Sequence, residues 1–269
     1  MTIVKATRAG ERTAAPRYPL KSDPYSSHSV IAREVRRLIR FTEGERPLVV
    51  DAGCGSGPLG TLLAGERLSL IGVDRDPDAL EQARACGYAA LVCTDLEVDD
   101  WPGELDPADV VVCADVLEHC LRPEVVLRRL VEDAVRPGGT VIVSLPNVAH
   151  WYVRAHLLAG RWNYADRGIL DRTHLRFFTA VTGAALLAEA GVRIERRWTT
   201  PLPLPEVYPV CRPGRPLFAL HQISARVTDW WPSLLGYQFV YLGTAAGPGA
   251  TTSPAGEWAL DGEVPTRPG

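Results

Sequence analysis

Pro47-Leu-Val-Val-Asp-Ala-Gly-Cys-Gly-Ser-Gly57 is the stretch on which the fold turns. A short apolar run ends on Asp51, and glycines follow at 53, 55 and 57. A buried strand that bends sharply into a helix needs glycine for left-handed backbone angles. It also needs glycine where main chain must approach a ligand at the helix N-terminus. A second apolar run, Leu68 to Val73, ends in Asp74. Strand, glycine turn, helix, strand and terminal acid read as a nucleotide-binding βαβ half, and imply a cofactor that contains adenosine.

Outward from this unit the alternation continues. Strands are expected near 47–51, 68–73, 89–93, 109–113 and 140–145, and helices near 57–65, 77–86 and 123–135. Pro77 and Pro123 stand where a first helical turn accepts proline. Strands alternating with helices predict a parallel, doubly wound α/β sheet. Upstream, Val30, Ile31, Val35, Leu38 and Ile39 recur at helical spacing, with Arg33, Arg36, Arg37 and Arg40 on the opposite, solvated face. Residues 1–24, broken by Pro16, Pro19 and Pro24, read as a flexible arm. After Pro146 the periodicity lapses over 147–177. A helix at 179–190 and a strand at 192–199 follow. A proline-rich stretch then leads to a helix at 217–230 and a strand at 237–242. The Gly-, Pro- and Thr-rich residues 244–269 are expected to be disordered. One domain over 25–243 results, with insertions at 147–177 and 200–232.

The chain has 269 residues, 46% hydrophobic and 23% charged, with a net charge of −3. A weakly acidic protein gives no global reason to expect nucleic acid or an anionic membrane as partner. The six cysteines form no Cys-x-x-Cys pair and several fall in strand-like runs, which suits reduced thiols and a cytoplasmic location. No apolar run approaches a membrane span.

Five motifs in order carry a family resemblance. Val49-Val-Asp-Ala-Gly-Cys-Gly-Ser-Gly57, Ile71-Gly-Val-Asp-Arg-Asp-Pro77, Thr94-Asp-Leu96, Val111-Val-Cys-Ala-Asp-Val-Leu-Glu-His119 and Arg136-Pro-Gly-Gly139 resemble the class I S-adenosylmethionine-dependent methyltransferases. The resemblance spans roughly residues 25–199. It implies a Rossmann-like seven-stranded sheet of order 3-2-1-4-5-7-6 with the last strand antiparallel. Gly55-Ser-Gly-Pro-Leu-Gly60 also fits the dinucleotide pattern of dehydrogenases. Asp51 weighs against that alternative, since a carboxylate repels pyrophosphate and attracts a sulfonium and an amino group. In the family reading Gly53, Cys54, Gly55 and Gly57 line the methionine portion of S-adenosylmethionine. Asp74 holds the ribose and Arg75 flanks the adenine. Asp95 and the Leu96 amide read the adenine edge, while Ala114, Asp115 and His119 close the methionine end.

Methyl transfer from a sulfonium needs alignment and water exclusion above all, and a protein base only where the acceptor is a hydroxyl of high pKa. The acceptor side is expected after the fifth strand. There Asp171-Arg-Thr-His-Leu-Arg-Phe-Phe178 looks like a signature of methyltransferases encoded with glycosyltransferases and natural-product pathways. Ser144-Leu-Pro-Asn147 and the late Pro232-Ser-Leu-Leu-Gly-Tyr-Gln238 belong to the same branch. His174 is the candidate base, with Asp171 as its orienting partner. The same residues could instead knit the insertion to the core. Asn147, His150, Tyr164, Arg172 and Arg176 are candidate acceptor contacts. Asp115-Val-Leu-Glu-His119 resembles a metal-binding Glu-x-x-Glu-His element of ubiquinone-pathway O-methyltransferases. Asp stands here for the first Glu, and two carboxylates are few for a hard cation, so no metal is expected. The apolar residues of 217–239 are read as core packing or a dimer contact. The resulting expectation is O-methylation of a small-molecule acceptor, a sugar or secondary metabolite. Left open are N- or C-methylation and a non-catalytic cofactor-binding partner in a biosynthetic complex.

Overall fold

A computed structural model describes residues 3–5, 23–40 and 46–246. The strands are β1 (Ile3–Lys5), β2 (Leu48–Ala52), β3 (Ser69–Asp74), β4 (Ala90–Cys93), β5 (Ala108–Ala114), β6 (Val135–Pro146), β7 (Val192–Thr200) and β8 (Gln238–Ala245). They form one sheet in the order β1-β4-β3-β2-β5-β6-β8-β7. The five inner strands β4, β3, β2, β5 and β6 are mutually parallel, and β8 runs antiparallel to both β6 and β7. Without β1, this is the seven-stranded order expected from the sequence. The addition is at the edge: Ile3–Lys5, inside the stretch read as a loose arm, pairs antiparallel with β4. Asp23 and Pro24 at the end of that arm are also described, and Asp23 is buried; β8 extends through Ala245 into the expected tail, and the remainder of arm and tail lies outside the described residues.

The helices are α1 (Ser27–Ile39), α2 (Pro58–Leu63), α3 (Pro77–Ala83), α4 (Pro123–Arg129), α5 (Trp151–Leu158), α6 (Ala180–Glu189), α7 (Leu204–Val207), α8 (Phe218–Trp230) and α9 (Pro232–Leu235). Their apolar stripes cover the two sheet faces. One layer gathers Val30, Ile31, Leu59, Leu63 and Leu80 over Val49, Val110 and Val112. The other packs Val126, Leu127, Leu130, Leu186 and Leu187 over Val50, Val111, Val141 and Val143. Alternate residues of each strand therefore face opposite layers, as a doubly covered sheet requires. The expected helix over 123–135 divides into α4 and a π-turn at Leu130–Ala134. The sheet resumes at Val135, ahead of the Arg136–Gly139 turn, with a register shift against Ala108 and Val110.

Two parts of the insertions depart from the reading. The 147–177 segment contains α5, which its weak periodicity hid, and a third small cluster of Val153, Ile169 and Leu170. In α8 the apolar face does not pack into the core. Leu220, Ile223, Val227 and Trp230 are exposed, so core packing is not their role within one chain. Among the described residues no helix is long and apolar enough to cross a membrane.

Candidate active site

The carboxyl ends of the parallel strands open into a cavity of about 1100 Å³. That exceeds what a single small ligand usually fills, roughly 300–1,000 Å³, and leaves room for a cofactor with an acceptor. Its lining combines acids on or beside the strand ends, among them Asp51, Asp74, Asp95 and Asp115, with His119, Arg167, His174, Arg212 and Tyr237 from the loops and the cap.

The glycine turn takes its shape from φ values of 80°, 51° and 87° at Gly53, Gly55 and Gly57. Side chains rarely adopt these angles. A Cβ at Gly53 would also overlap Val116 Cγ2. The turn is anchored to β3: Gly53 N and Cys54 N donate to Val73 O at 2.7 and 2.9 Å. Gly55 N donates to Asp74 Oδ2 at 2.8 Å, and Asp76 N donates to Oδ1 at 2.9 Å. Asp74 is thus oriented by two amides, and each oxygen keeps a further lone pair for a ligand. Asp51 is buried beneath the turn and accepts the Tyr88 hydroxyl at 2.6 Å. Burial pushes its pKa up to about 7, against the pull of the Tyr88 hydrogen bond, and nearby Asp74 adds to the rise. Cys54 packs below, its thiol pushed far up by burial and by Asp51.

Asp95 Oδ1 accepts Glu97 N at 2.9 Å, and Oδ2 lies 3.6 Å from Arg75 Nη1, so the two residues face one another at the cavity edge beside Leu96. Following Ala114, Asp115 has a φ of 56°, and it is the single non-glycine residue at positive φ among those described. Its carboxylate is held from three sides. Ser144 Oγ donates to Oδ1 at 2.5 Å, Gln238 Nε2 donates to Oδ1 at 3.0 Å, and Ser27 Oγ lies 3.4 Å from Oδ2. Ser144 and Gln238 belong to the motifs at 144–147 and 232–238, and the sequence alone assigned neither residue a role. Their shared task is to fix this strained acid.

Beyond Asp115 three ionisable side chains meet. Glu118, His119 and His174 each bring a ligand atom within 4.8 Å of the others. Both Glu118 carboxyl oxygens are buried without a hydrogen-bond partner, and burial with the charge of Asp115 holds the pKa well above the carboxylate range. His174 Nδ1 lies 3.0 Å from Ile169 O, which assigns the proton to Nδ1 and leaves Nε2 as an acceptor. Burial, and then the neighbouring His119, pushes the His174 pKa down. The two rings meet edge to face at 4.8 Å. Asp171 does not reach His174, contrary to expectation. Its Oδ1 accepts the Thr173 amide and hydroxyl at 2.9 and 2.7 Å, and Thr173 Oγ1 sits 3.1 Å from His119 Nδ1. Burial acts to raise the Asp171 pKa, but the Thr173 hydrogen bonds and the two histidines bring it below the usual value. Asp171 therefore orients His119 through Thr173.

A family model described as a methyltransferase domain matches residues 27–196. The chain belongs to the S-adenosylmethionine-dependent methyltransferases. An enzyme named ubiquinone biosynthesis O-methyltransferase from Thiobacillus denitrificans is 30% identical over 209 residues, covering 69% of this chain and 84% of the relative. One of the same name from Cupriavidus pinatubonensis is 32% identical over 176 residues, 61% of this chain and 68% of its own. Among solved structures, magnesium protoporphyrin IX methyltransferase from Synechocystis with bound SAH aligns at a TM-score of 0.53 and 16% identity, over 81% of this chain and 84% of that one. A [4+2]-cyclase shares the fold at a TM-score of 0.51 and 16% identity, over 83% and 84%. The fold alone thus does not specify methyl transfer. The donor set suits the family's cofactor: an acid-rich end for a cation, and no atom within 4 Å of a Cβ built at Gly55, where main chain faces open space.

Within this methyltransferase, none of the five acceptor contacts expected from sequence lines the cavity. Asn147 is fully buried, donating to Ser233 O at 3.0 Å and Gly236 O at 2.8 Å. His150 caps α5, accepting Tyr152 N at 3.3 Å, and burial pushes its pKa down to about 4. Tyr164 is exposed and packs edge-on against Trp162. Arg172 pairs with Asp166 at 2.6 Å on the surface, and Arg176 Nε donates to Leu121 O at 3.0 Å. Residue type placed them in the site; long-range geometry gave them to the frame. In their place the cavity has Arg167, Glu206, Arg212 and Tyr237. Glu206 and Arg212 come from the 200–232 insertion, where no local motif marks them, and Tyr237 from the Pro232–Gln238 motif, which assigns it no role.

Proposed function

We propose that the chain methylates an oxygen of a small-molecule acceptor, a hydroxyl of a sugar or secondary metabolite, with His174 as the base. The observation that carries this reading is the Ile169 O contact. It supports a His174 protonated at Nδ1 with a basic Nε2, on a side chain that lines a cavity large enough for two ligands. Bound S-adenosylmethionine supplies an electrophilic methyl group on a sulfonium. Asp51, Asp74, Asp95 and Asp115 hold the cofactor by charge and hydrogen bonds. His174, kept neutral by burial, takes the hydroxyl proton at Nε2 as the acceptor oxygen becomes nucleophilic. Arg167 and Tyr237 orient the acceptor from the far side. The names of the relatives, O-methyltransferases, support oxygen as the acceptor atom.

The reading uses no metal ion. The Glu118, His119 and His174 cluster offers one carboxylate and two imidazoles, few oxygen donors for a hard cation. Six unpaired cysteines suit a reducing, cytoplasmic setting. The test is incubation of the enzyme with methyl-labelled S-adenosylmethionine and fractionated metabolites of the source cell, followed by mass spectrometry. An O-methyl product is expected. A product labelled at nitrogen or carbon, or cofactor binding with no transfer in any fraction, overturns the reading. Turnover in excess chelator is expected to equal that without it, and its loss would restore the Glu118, His119 and His174 cluster as a metal site.

A further inference from the structure

A buried polar contact ties the cap to the segment ahead of α1. His221, on α8, is fully buried, and Asp23 is 2% exposed. His221 Nε2 lies 2.9 and 3.0 Å from the two Asp23 carboxylate oxygens, across 198 residues of chain. Tyr25 meets the ring edge-on at 5.3 Å and Phe218 leans on it at 6.1 Å. His221 Nδ1 is buried with no hydrogen-bond partner, an unfavourable state that the Asp23 contact offsets. An apolar pair of similar volume would hold two packed elements together as well, whereas the directional Asp23–His221 contact also fixes their relative placement.

What is placed is legible from Asp23 onward. Its carbonyl accepts Ser26 N at 3.2 Å and Ser29 Oγ at 2.7 Å, and its Oδ1 accepts Tyr25 N at 2.9 Å. The carboxylate that grips the cap is therefore rigidly joined to the first turn of α1. On that same turn Ser27, fully buried, reaches Asp115. A continuous set of contacts runs from α8 through Asp23 and Ser27 to the strained acid at the methionine end. Asp23 and His28 themselves line the cavity.

We infer that Asp23 and His221 are a positioning pair that couples docking of the 200–232 cap to the placement of Asp115, and so sets cofactor affinity. The inference rests on the proposed role of Asp115 toward the cofactor. With the pair intact, Ser27 supports Asp115. With the pair broken, the 23–29 turn loosens and that support is lost, while His174 and its Ile169 contact are untouched.

Calorimetric titration of the full chain with S-adenosylhomocysteine tests this. Asp23→Asn and His221→Leu are each expected to raise Kd roughly tenfold, within the usual range of couplings between sites. The double variant should be no worse than the weaker-binding single one, and Ser27→Ala should reproduce the loss. Steady-state kinetics should show the defect in cofactor KM rather than in kcat. His221→Gln, which keeps an N–H at similar reach, should recover most of the affinity, and it serves where His221→Leu fails to fold. Unchanged Kd in folded variants, or losses that add in the double variant, overturn the inference. Asp115→Asn separates the two levels. If it leaves Kd unchanged, the cofactor role of Asp115 falls and the coupling with it. If it weakens binding while the pair variants do not, the coupling alone falls.

Discussion

At the proposed cofactor end of the cavity the acids ride on strand termini: Asp51 on β2, Asp74 on β3 and Asp115 directly after β5. At the proposed acceptor end the groups ride on irregular chain and on the cap, as with His174, Arg167 and Arg212. The first end is a consequence of sheet geometry, because parallel strands stop together and present their last residues side by side. The second has no such template. Each of its groups is fixed by a separate contact, such as Ile169 O for His174 or Thr173 for His119. Strand ends supply a common binding chemistry, and loops and cap supply what distinguishes one acceptor from another.

The largest effect that could break this division is at His174. His174→Ala should lower kcat by about 10²–10⁴-fold while leaving the Kd for S-adenosylhomocysteine near its native value. Full turnover with both ligands saturating would remove His174 as the base and leave the acceptor end without one. At the strand-end side, Gly60→Ala tests how tightly the turn is built. A Cβ there would overlap Tyr88 Cε2 and lie 2.5 Å from Cys86 O, and the second of these is main chain. A stability loss of about 1–3 kcal/mol is expected in denaturant unfolding. No loss would mean the helix can back away from Tyr88 freely.

Asp51 gives a pH test. Its folded pKa is about 7 against an ordinary aspartate value of 3.8, so the native chain binds the extra proton between those values. That contribution to stability is fully present below pH 3.8 and is lost as pH rises through about 7. A cationic cofactor favours the ionised acid, so S-adenosylmethionine should bind more tightly as pH rises through this same window, with proton release below it. Calorimetry in buffers of different ionisation heat reads the released proton, and a pH-independent affinity would place Asp51 away from the cationic group. The smallest effect is expected at Arg172→Gln. Its partner Asp166 is exposed, as is the arginine, and stability and turnover should stay within about 0.5 kcal/mol of native. A large kinetic defect would return Arg172 to the acceptor site.

The same division governs what could be read in advance. The core strands are legible as short apolar runs, a local pattern that repeats, whereas their order comes with the family resemblance and not from any single run. The acids of the cofactor end were legible for the same reason. The motif marks His174 as a candidate but does not mark the group that orients it. Asp171 is three residues away in sequence yet turns back to Thr173, while a backbone carbonyl, invisible in any sequence pattern, takes the imidazole proton. Asn147 and His150 misled because a polar residue just past a strand end resembles a ligand contact. Here each instead satisfies buried main chain. Ser144 and Gln238 were quoted as motif members without a role, because the acid they share lies 29 and 123 residues away.

The left-handed backbone at Asp115 restricts what can ever replace it. Only glycine, asparagine and aspartate visit that region at small expense. Glycine would relax the main chain but leave Ser144 and Gln238 facing nothing. Asparagine would keep the shape and surrender the charge. A drifting sequence therefore meets a narrow passage at position 115, one step wide in either direction. Two selections act there at once, one on a torsion angle and one on a carboxylate, and aspartate is the single residue that satisfies both.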